Sequence, residues 1–289
     1  MPTLRDWVGG ARPRTLPAAL APVLAGTGAA AYDNAASPVR ALLAAGVALA
    51  LQVAVNFAND YSDGVRGTDD VRVGPVRLTA SGAVAPGTVK RAAYAAFAVA
   101  GVLGVVLCAV AGTWWLIAVG ALCVLAGWFY TGGKNPYGYR GLGEVAVFVF
   151  FGLVATLGTT YTQAGRLTVP AVLAACAIGA LACALLMVNN IRDIPTDTVA
   201  GKRTLAVRLG DRRARVAYTG LLVAALVCAV AIGGWAPWAL LLTGFAIPVL
   251  QLAGQVLGGA SGRELIVVLG RTGLLELALG VGLAVVLTI

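Results

Sequence analysis

Residues 170–197 read PAVLAACAIGALACALLMVNNIRDIPTD. The first 20 of them, 170–189, carry no charge, and a helix of that length spans roughly the ~30 Å hydrocarbon core of a bilayer. The cluster that follows, with Asn189, Asn190, Asp193 and Asp197, therefore sits at a membrane boundary. About 130 residues earlier the pattern recurs, where an apolar run at 40–58 meets NDYSDGVRGTDD at 59–70, holding Asn59, Asp60, Asp63, Asp69 and Asp70. In both places an Asn precedes an Asp by four residues, Asn59 with Asp63 and Asn189 with Asp193. On a helical turn that spacing puts the carboxamide and the carboxylate on one face. An Asp at the centre of a membrane helix costs about 2.5–3.5 kcal/mol, so two matched clusters at two boundaries call for something that neutralises them.

Composition sets the class. Of 289 residues, 60% are hydrophobic and 11% charged, with a mean hydropathy of +0.88, and no soluble shell covers such a chain. Apolar runs fall at 16–31, 40–58, 91–111, 114–130, 143–161, 170–189, 214–233, 236–256 and 268–289. They are apolar all round, whereas the strands of a membrane barrel alternate polar and apolar residues, so helices are expected. The fold class is all-α: a polytopic membrane protein of nine transmembrane helices, residues 1–289 forming one domain. Its longest polar stretches, about 59–90 and 189–213, are too short for a core of their own and are expected to be cap loops.

The net charge of +9 invites a nucleic-acid reading, but the placement of the charges explains it otherwise. Counting loops from a cytoplasmic N-terminus, 19 of the 21 Lys and Arg fall on the cytoplasmic side, and only Arg40 and Arg166 on the other. The positive-inside rule thus puts the N-terminus in the cytoplasm. The basic start followed by an apolar run imitates a secretory signal, but Pro17 and Pro22 interrupt the run and Arg12-Pro13-Arg14 abuts it as an anchor, so it reads as a retained helix. Cys108, Cys123, Cys176, Cys183 and Cys228 all lie inside expected helices without metal spacing and read as small packing residues.

The chain has no His, which removes the commonest general base and zinc ligand. Eleven of its twelve acidic residues fall on the cytoplasmic side, Asp33 being the exception. Oxygen ligands without His or Cys favour magnesium, which keeps water and bridges carboxylates to substrate phosphates. A solvated acidic loop would explain one cluster; the matched spacing of two argues against it. A secondary transporter with related halves is the rival class, but its charged site belongs near the midplane, and these aspartates lie beyond the apolar runs.

Five motifs occur in order: ARPRTLPAALAPVLAG, NFANDYSDGVRGTDD, GPVRLTASG, YTGGKNPYGYRGLGE and NNIRDIPTDTVAGKRTLAVRLG. Together they resemble the UbiA superfamily of intramembrane prenyltransferases as far as about Gly210, the last three helices matching in hydropathy alone. The first family motif, commonly NDxxDxxxD, is altered: Gly67 stands where the third Asp would be, and Asp69 follows two residues later. That form is similar to the 1,4-dihydroxy-2-naphthoate branch, which serves menaquinone synthesis. The resemblance implies a central cavity with both clusters at its cytoplasmic mouth. Two magnesium ions would be held there on a polyprenyl diphosphate by Asn59, Asp60, Asp63, Asp69, Asp193 and Asp197, with Asn189 and Asn190 beside the substrate.

Arg77, Lys134, Lys202 and Arg203 are the candidate cations for the leaving diphosphate, and positive-inside anchoring would explain each of them equally well. Tyr130 and Tyr139 are the candidate aromatic faces for an allylic carbocation, against the plain alternative of an interfacial belt. Arg14 would pair with the carboxylate of the dihydroxynaphthoate acceptor, on position alone. Glu144 is a candidate for acceptor deprotonation, and Glu276 is expected to pair with Arg271. Acceptors such as 4-hydroxybenzoate are the alternative within the superfamily. Bilayer lipid is the surrounding partner; nothing in the sequence names a protein partner.

Overall fold

Caps and prolines begin the helices where the sequence turns apolar. In the computed structural model, which describes residues 2–67 and 77–289 and all their side chains but that of Arg14, the architecture is all-helical. Thr3 and Asp6 form a capping box that starts α1 (Leu4–Ala11). Next come α2 (Leu16–Tyr32), α3 (Pro38–Val65), started by Ser37 and Pro38, and α4 (Pro86–Ala111). Then follow α5 (Leu116–Phe129), α6 (Gly143–Ala164) and α7 (Val169–Val199), the last capped by Thr168. The short α8 (Leu205–Leu209) leads to α9 (Asp211–Gly234), α10 (Pro237–Leu257) and α11 (Gly262–Thr288), which opens on a Ser261–Glu264 capping box.

Seven of these, α3, α4, α6, α7, α9, α10 and α11, are long and apolar enough to cross a membrane. The other two apolar runs form shorter helices, α2 of 17 residues and α5 of 14. At 1.5 Å per residue, α5 covers about 21 Å, less than the hydrocarbon core.

Helix α7 is the centre of the bundle: 72% of its apolar window is buried, against 28–44% for the other six. It packs on α9, α11, α2 and α6, while α3 pairs with α4 and α2 with α11. Small residues make these approaches close. An added Cβ on Gly28 would lie 2.5 Å from Cα of Ala284, and one on Gly280 would lie 2.8 Å from the Ala21 carbonyl. Gly28→Leu should therefore lower the thermal unfolding midpoint in detergent, by the equivalent of about 1–3 kcal/mol. Gly101→Leu, on an exposed face with nothing near, should leave it unchanged. Equal midpoints for the two variants would remove the α2–α11 contact from the account.

Two elements differ from what the sequence suggests. First, α3 runs on through Asn59, Asp60 and Asp63 to Val65, and α7 through Asp193 and Asp197 to Val199, so these members of both clusters ride on helix ends, not in loops. Loss of apolar side chains ends the membrane-compatible stretch but not the backbone hydrogen-bond ladder, which is broken only at Gly67 and Gly201, both with positive φ. Second, α6 widens into a π-turn over Phe148–Val154, where Gly152 meets Gly179 of α7 so closely that a Cβ would lie 2.5 Å from the facing Cα.

Candidate active site

The polar face of α3 organises the site. Gln52 and Asn56 both donate to Oγ1 of Thr15, at 3.0 Å each, and Asn56 also donates to the Ala11 carbonyl at 2.9 Å. One and two turns on stand Asp60 and Asp63. The carboxylate of Asp60 accepts the backbone N–H groups of Leu78 (2.9 Å) and Thr79 (2.8 Å), so it fixes the turn that carries Arg77. Nη2 of Arg77 then lies 3.8 Å from Oδ2 of Asp63.

Asp63 is where distant parts of the chain converge. It is buried, it accepts a hydrogen bond from the hydroxyl of Tyr139, and Nζ of Lys202 lies 3.7 Å from its Oδ1. Lys202 belongs to the loop after α7: its N–H donates to the Asp197 carbonyl at 2.8 Å, and its ammonium lies 4.7 Å from the centre of the Tyr139 ring. One carboxylate from the first cluster, one cation from the loop behind the second, and a tyrosine from the connection between α5 and α6 thus meet. Arg66, at the end of α3, holds that connection by donating to the carbonyls of Thr131 and Gly133, while Thr131 donates to Oδ1 of Asn59 at 2.8 Å.

The second cluster has a partner that sequence reasoning missed. Arg192 grips Asp193 through Nε (2.7 Å) and Nη2 (2.8 Å) and also donates to Oδ1 of Asn189 at 2.9 Å. The sequence counted Arg192 as a topogenic charge, although its place beside Asp193 in NNIRD was the available signal. Asn189 lies on the Asp193 side, 3.5 Å from its Oδ2, whereas Asn190, the next residue round the helix, donates to Oε1 of Glu144 at 3.1 Å.

The basic candidates separate into two groups. Arg77 and Lys202 stand at Asp63, while Lys134 and Arg203 are exposed and line an outer pocket of about 370 Å³ with Arg140, Arg208 and Tyr139. Among the described residues, no acidic side chain lines that pocket. Tyr139 divides the two regions: its hydroxyl is on Asp63, and its carbonyl accepts from the N–H of Arg203 at 2.9 Å. Tyr130 does not bond Asp63, but it lies within electrostatic reach of Glu144, Asp63 and Asp197. Its ring sits between Gly138 and Gly143, where a Cβ would approach its carbonyl to 2.7 Å and its hydroxyl to 3.0 Å respectively. Neighbouring Tyr137 donates to the Ala126 carbonyl at 2.8 Å, and burial pushes its hydroxyl up to about 12, so it stays a donor at neutral pH.

Asp69 lies outside the described residues, as does the side chain of Arg14. The pairing expected between Glu276 and Arg271 does not form. Glu276 is fully buried with no hydrogen-bond partner for either oxygen among the described residues, while Arg271, five residues earlier on the same helix, is turned out and exposed. At the opposite end of α2, Asp33 pairs with Arg166 at 2.7 Å, far along the bundle from both clusters.

Among the described residues, no three acidic, His or Cys side chains gather closely enough to cage a metal ion. The donor set, two carboxylates and at least one amide on each helix end, still fits magnesium, an ion that takes few protein ligands and completes its shell with water and phosphate oxygen. The UbiA prenyltransferase family model matches residues 19–261. The chain belongs to that family. The 1,4-dihydroxy-2-naphthoate octaprenyltransferase of Mycobacterium tuberculosis is 54% identical to it over 284 residues, covering 98% of this chain and 97% of the relative. Two solved structures share the fold at low identity. A UbiA homologue from Aeropyrum pernix in its apo form matches with a TM-score of 0.71 and 16% identity, over 93% of this chain and 96% of that one. A UbiA homologue from Archaeoglobus fulgidus bound to GPP and Mg2+ matches with a TM-score of 0.64 and 14% identity, over 97% and 99%. With family membership, the chain is a prenyltransferase, a membrane enzyme of many apolar helices.

Proposed function

We propose that the enzyme transfers a polyprenyl group from polyprenyl diphosphate to 1,4-dihydroxy-2-naphthoate, with loss of carbon dioxide, to give demethylmenaquinol. The observation that carries prenyl transfer is the convergence on Asp63 of Tyr139, Arg77 and Lys202 from three separate connections, beside a helix end that bears Asp193. The relative at 54% identity over nearly the whole chain supports the acceptor. In this reading residues 1–289 act as one unit, and α2 and α5 join the seven longer spans to make nine crossings. The Lys- and Arg-rich end bearing both clusters faces the cytoplasm, in the cell membrane.

The substrate's chemistry suits this placement, with an anionic head at the polar mouth and an isoprenoid tail among apolar helices. Asn59, Asp60 and Asp63 on one helix end, and Asp193 and Asp197 on the other, would hold magnesium, two ions for the diphosphate they share, with Asn189 beside the substrate. Bound there, magnesium supplies neutralisation of the diphosphate as its bond to the allylic carbon breaks. Arg77 and Lys202 add fixed positive charge where negative charge grows, which favours the transition state over the ground state. Lys134 and Arg203 in the outer pocket draw the anionic head in. Tyr139 and Tyr130 present ring faces near the cation's path.

Acceptor carrying a labelled carboxyl group tests this reading. One labelled carbon dioxide should be released per prenyl group attached, because substitution at the carboxylate-bearing carbon restores aromaticity by losing that group. A 4-hydroxybenzoate acceptor is substituted beside its hydroxyl and keeps its carboxylate. Label retained in the lipid product would refute the naphthoate acceptor and leave prenyl transfer standing.

A further inference from the structure

Outside the two clusters, six acidic residues are described, and four have structural employment. Asp6 and Glu264 close capping boxes, and Asp33 and Asp211 pair with Arg166 and Arg215. Glu276 and Glu144 remain, and of these Glu144 is tied to the site: Asn190, neighbour of Asn189 on α7, donates to its Oε1 at 3.1 Å. Its other oxygen, Oε2, is buried and has no hydrogen-bond partner among the described residues. The backbone of Glu144 is held as well, since Sγ of Cys183 donates to its main-chain carbonyl at 3.1 Å. The titratable groups around it are the Tyr130 hydroxyl, from the end of α5, and the thiol of Cys183, which itself lies in reach of Glu276 on α11.

We propose that Glu144 is the general base for the aromatic acceptor, with Oε2 receiving the proton of its hydroxyl; this rests on the naphthoate reading above. The chain has no His to take that part. Tyr130, whose hydroxyl lies against Gly143 next to Glu144, is within electrostatic reach of Glu144, Asp63 and Asp197, which ties Glu144 to the end of the site that holds both clusters. The π-turn that begins four residues after Glu144 lays Phe148 over Gly179, where an added Cβ would meet the ring at 2.9 Å, and this gives an apolar wall for a planar ring.

The electrons balance with no further reagent. The proton of the hydroxyl beside the carboxylate passes to Oε2, the oxygen pair collapses to a ketone, and the carboxylate-bearing carbon bonds to the allylic carbon as the carbon–oxygen bond to diphosphate breaks. That carbon is now quaternary and carries a carboxylate β to the ketone. Its bond to the carboxylate breaks, carbon dioxide leaves, the electron pair re-forms the aromatic ring, and the ring oxygen recovers its proton from Glu144. One residue both takes and returns the proton.

Glu144→Gln keeps the shape and the Oε1 acceptor for Asn190 but removes the base. With the protein in lipid nanodiscs, kcat for the naphthoate should fall by about 10²–10⁴-fold. Affinity for a non-hydrolysable thiolodiphosphate analogue of geranyl diphosphate should stay within threefold of wild type. A ring-halogenated acceptor with a more acidic hydroxyl should narrow the gap between wild type and variant, which a merely structural role would not do. A variant that keeps its kcat, loses analogue affinity in parallel, or shows the same gap with both acceptors overturns the assignment of Glu144. If the wild type does not consume the naphthoate, the acceptor reading fails first and this inference with it.

Discussion

Asp63→Asn and Asp193→Asn should each reduce turnover by about 10²–10³-fold or more, while Asp33→Ala stays near wild type. The argument is local. Asp63 gathers Tyr139, Arg77 and Lys202, and the amide of Asn can still accept from Tyr139 but brings no charge to a metal ion. Asp193 is gripped by Arg192, whose side chain is only 5% exposed, so Asp193→Ala would leave a buried guanidinium uncompensated and cost about 3–5 kcal/mol of stability. For that reason the Asn variants, which keep the shape, are the informative ones, with detergent monodispersity as the folding control. Asp33 pairs with an Arg166 that is 67% exposed, an ion pair of the kind worth about 0–1 kcal/mol. If Asp63→Asn and Asp193→Asn turned over as well as Asp33→Ala, the clusters would not be the site.

The apolar runs were legible because a lipid-facing helix must be apolar over its length, and each run became a helix. Helix ends were less legible, since the sequence marks where side chains stop being apolar and not where the backbone ladder stops. Asn59 with Asp63 and Asn189 with Asp193 were readable as same-face pairs because spacing within one helix determines that. Which loop folds over them was not readable. Nothing local to Tyr139 says that its hydroxyl reaches Asp63 while Tyr130 turns toward Glu144, because that depends on Arg66 holding the connection at Thr131 and Gly133. Lys134 and Lys202 look alike as sequence, yet one lines the outer pocket and the other stands at the carboxylate. Gln52 and Asn56 were passed over inside an apolar run, although with Asp60 they form an i, i+4, i+8 polar row that a search of helical spacing would have found.

Excess chelator should abolish turnover, and magnesium should restore it. The donors on both helix ends are amide and carboxylate oxygens, a hard set without the His or Cys that would favour zinc. Among the described residues no three acidic side chains gather into a cage, so those residues offer an ion few ligands, and the diphosphate is expected to supply others. Magnesium affinity measured by titration calorimetry should therefore be weak for the enzyme alone and at least tenfold tighter with a non-hydrolysable prenyl diphosphate present. Manganese, which accepts the same oxygen donors, should substitute in part, and calcium, larger and looser in its coordination, should support binding better than turnover. Full activity in excess chelator would remove the metal from the mechanism and leave Arg77 and Lys202 to stabilise the leaving group unaided. Equal magnesium affinity with and without the diphosphate would instead mean that the protein completes a site of its own.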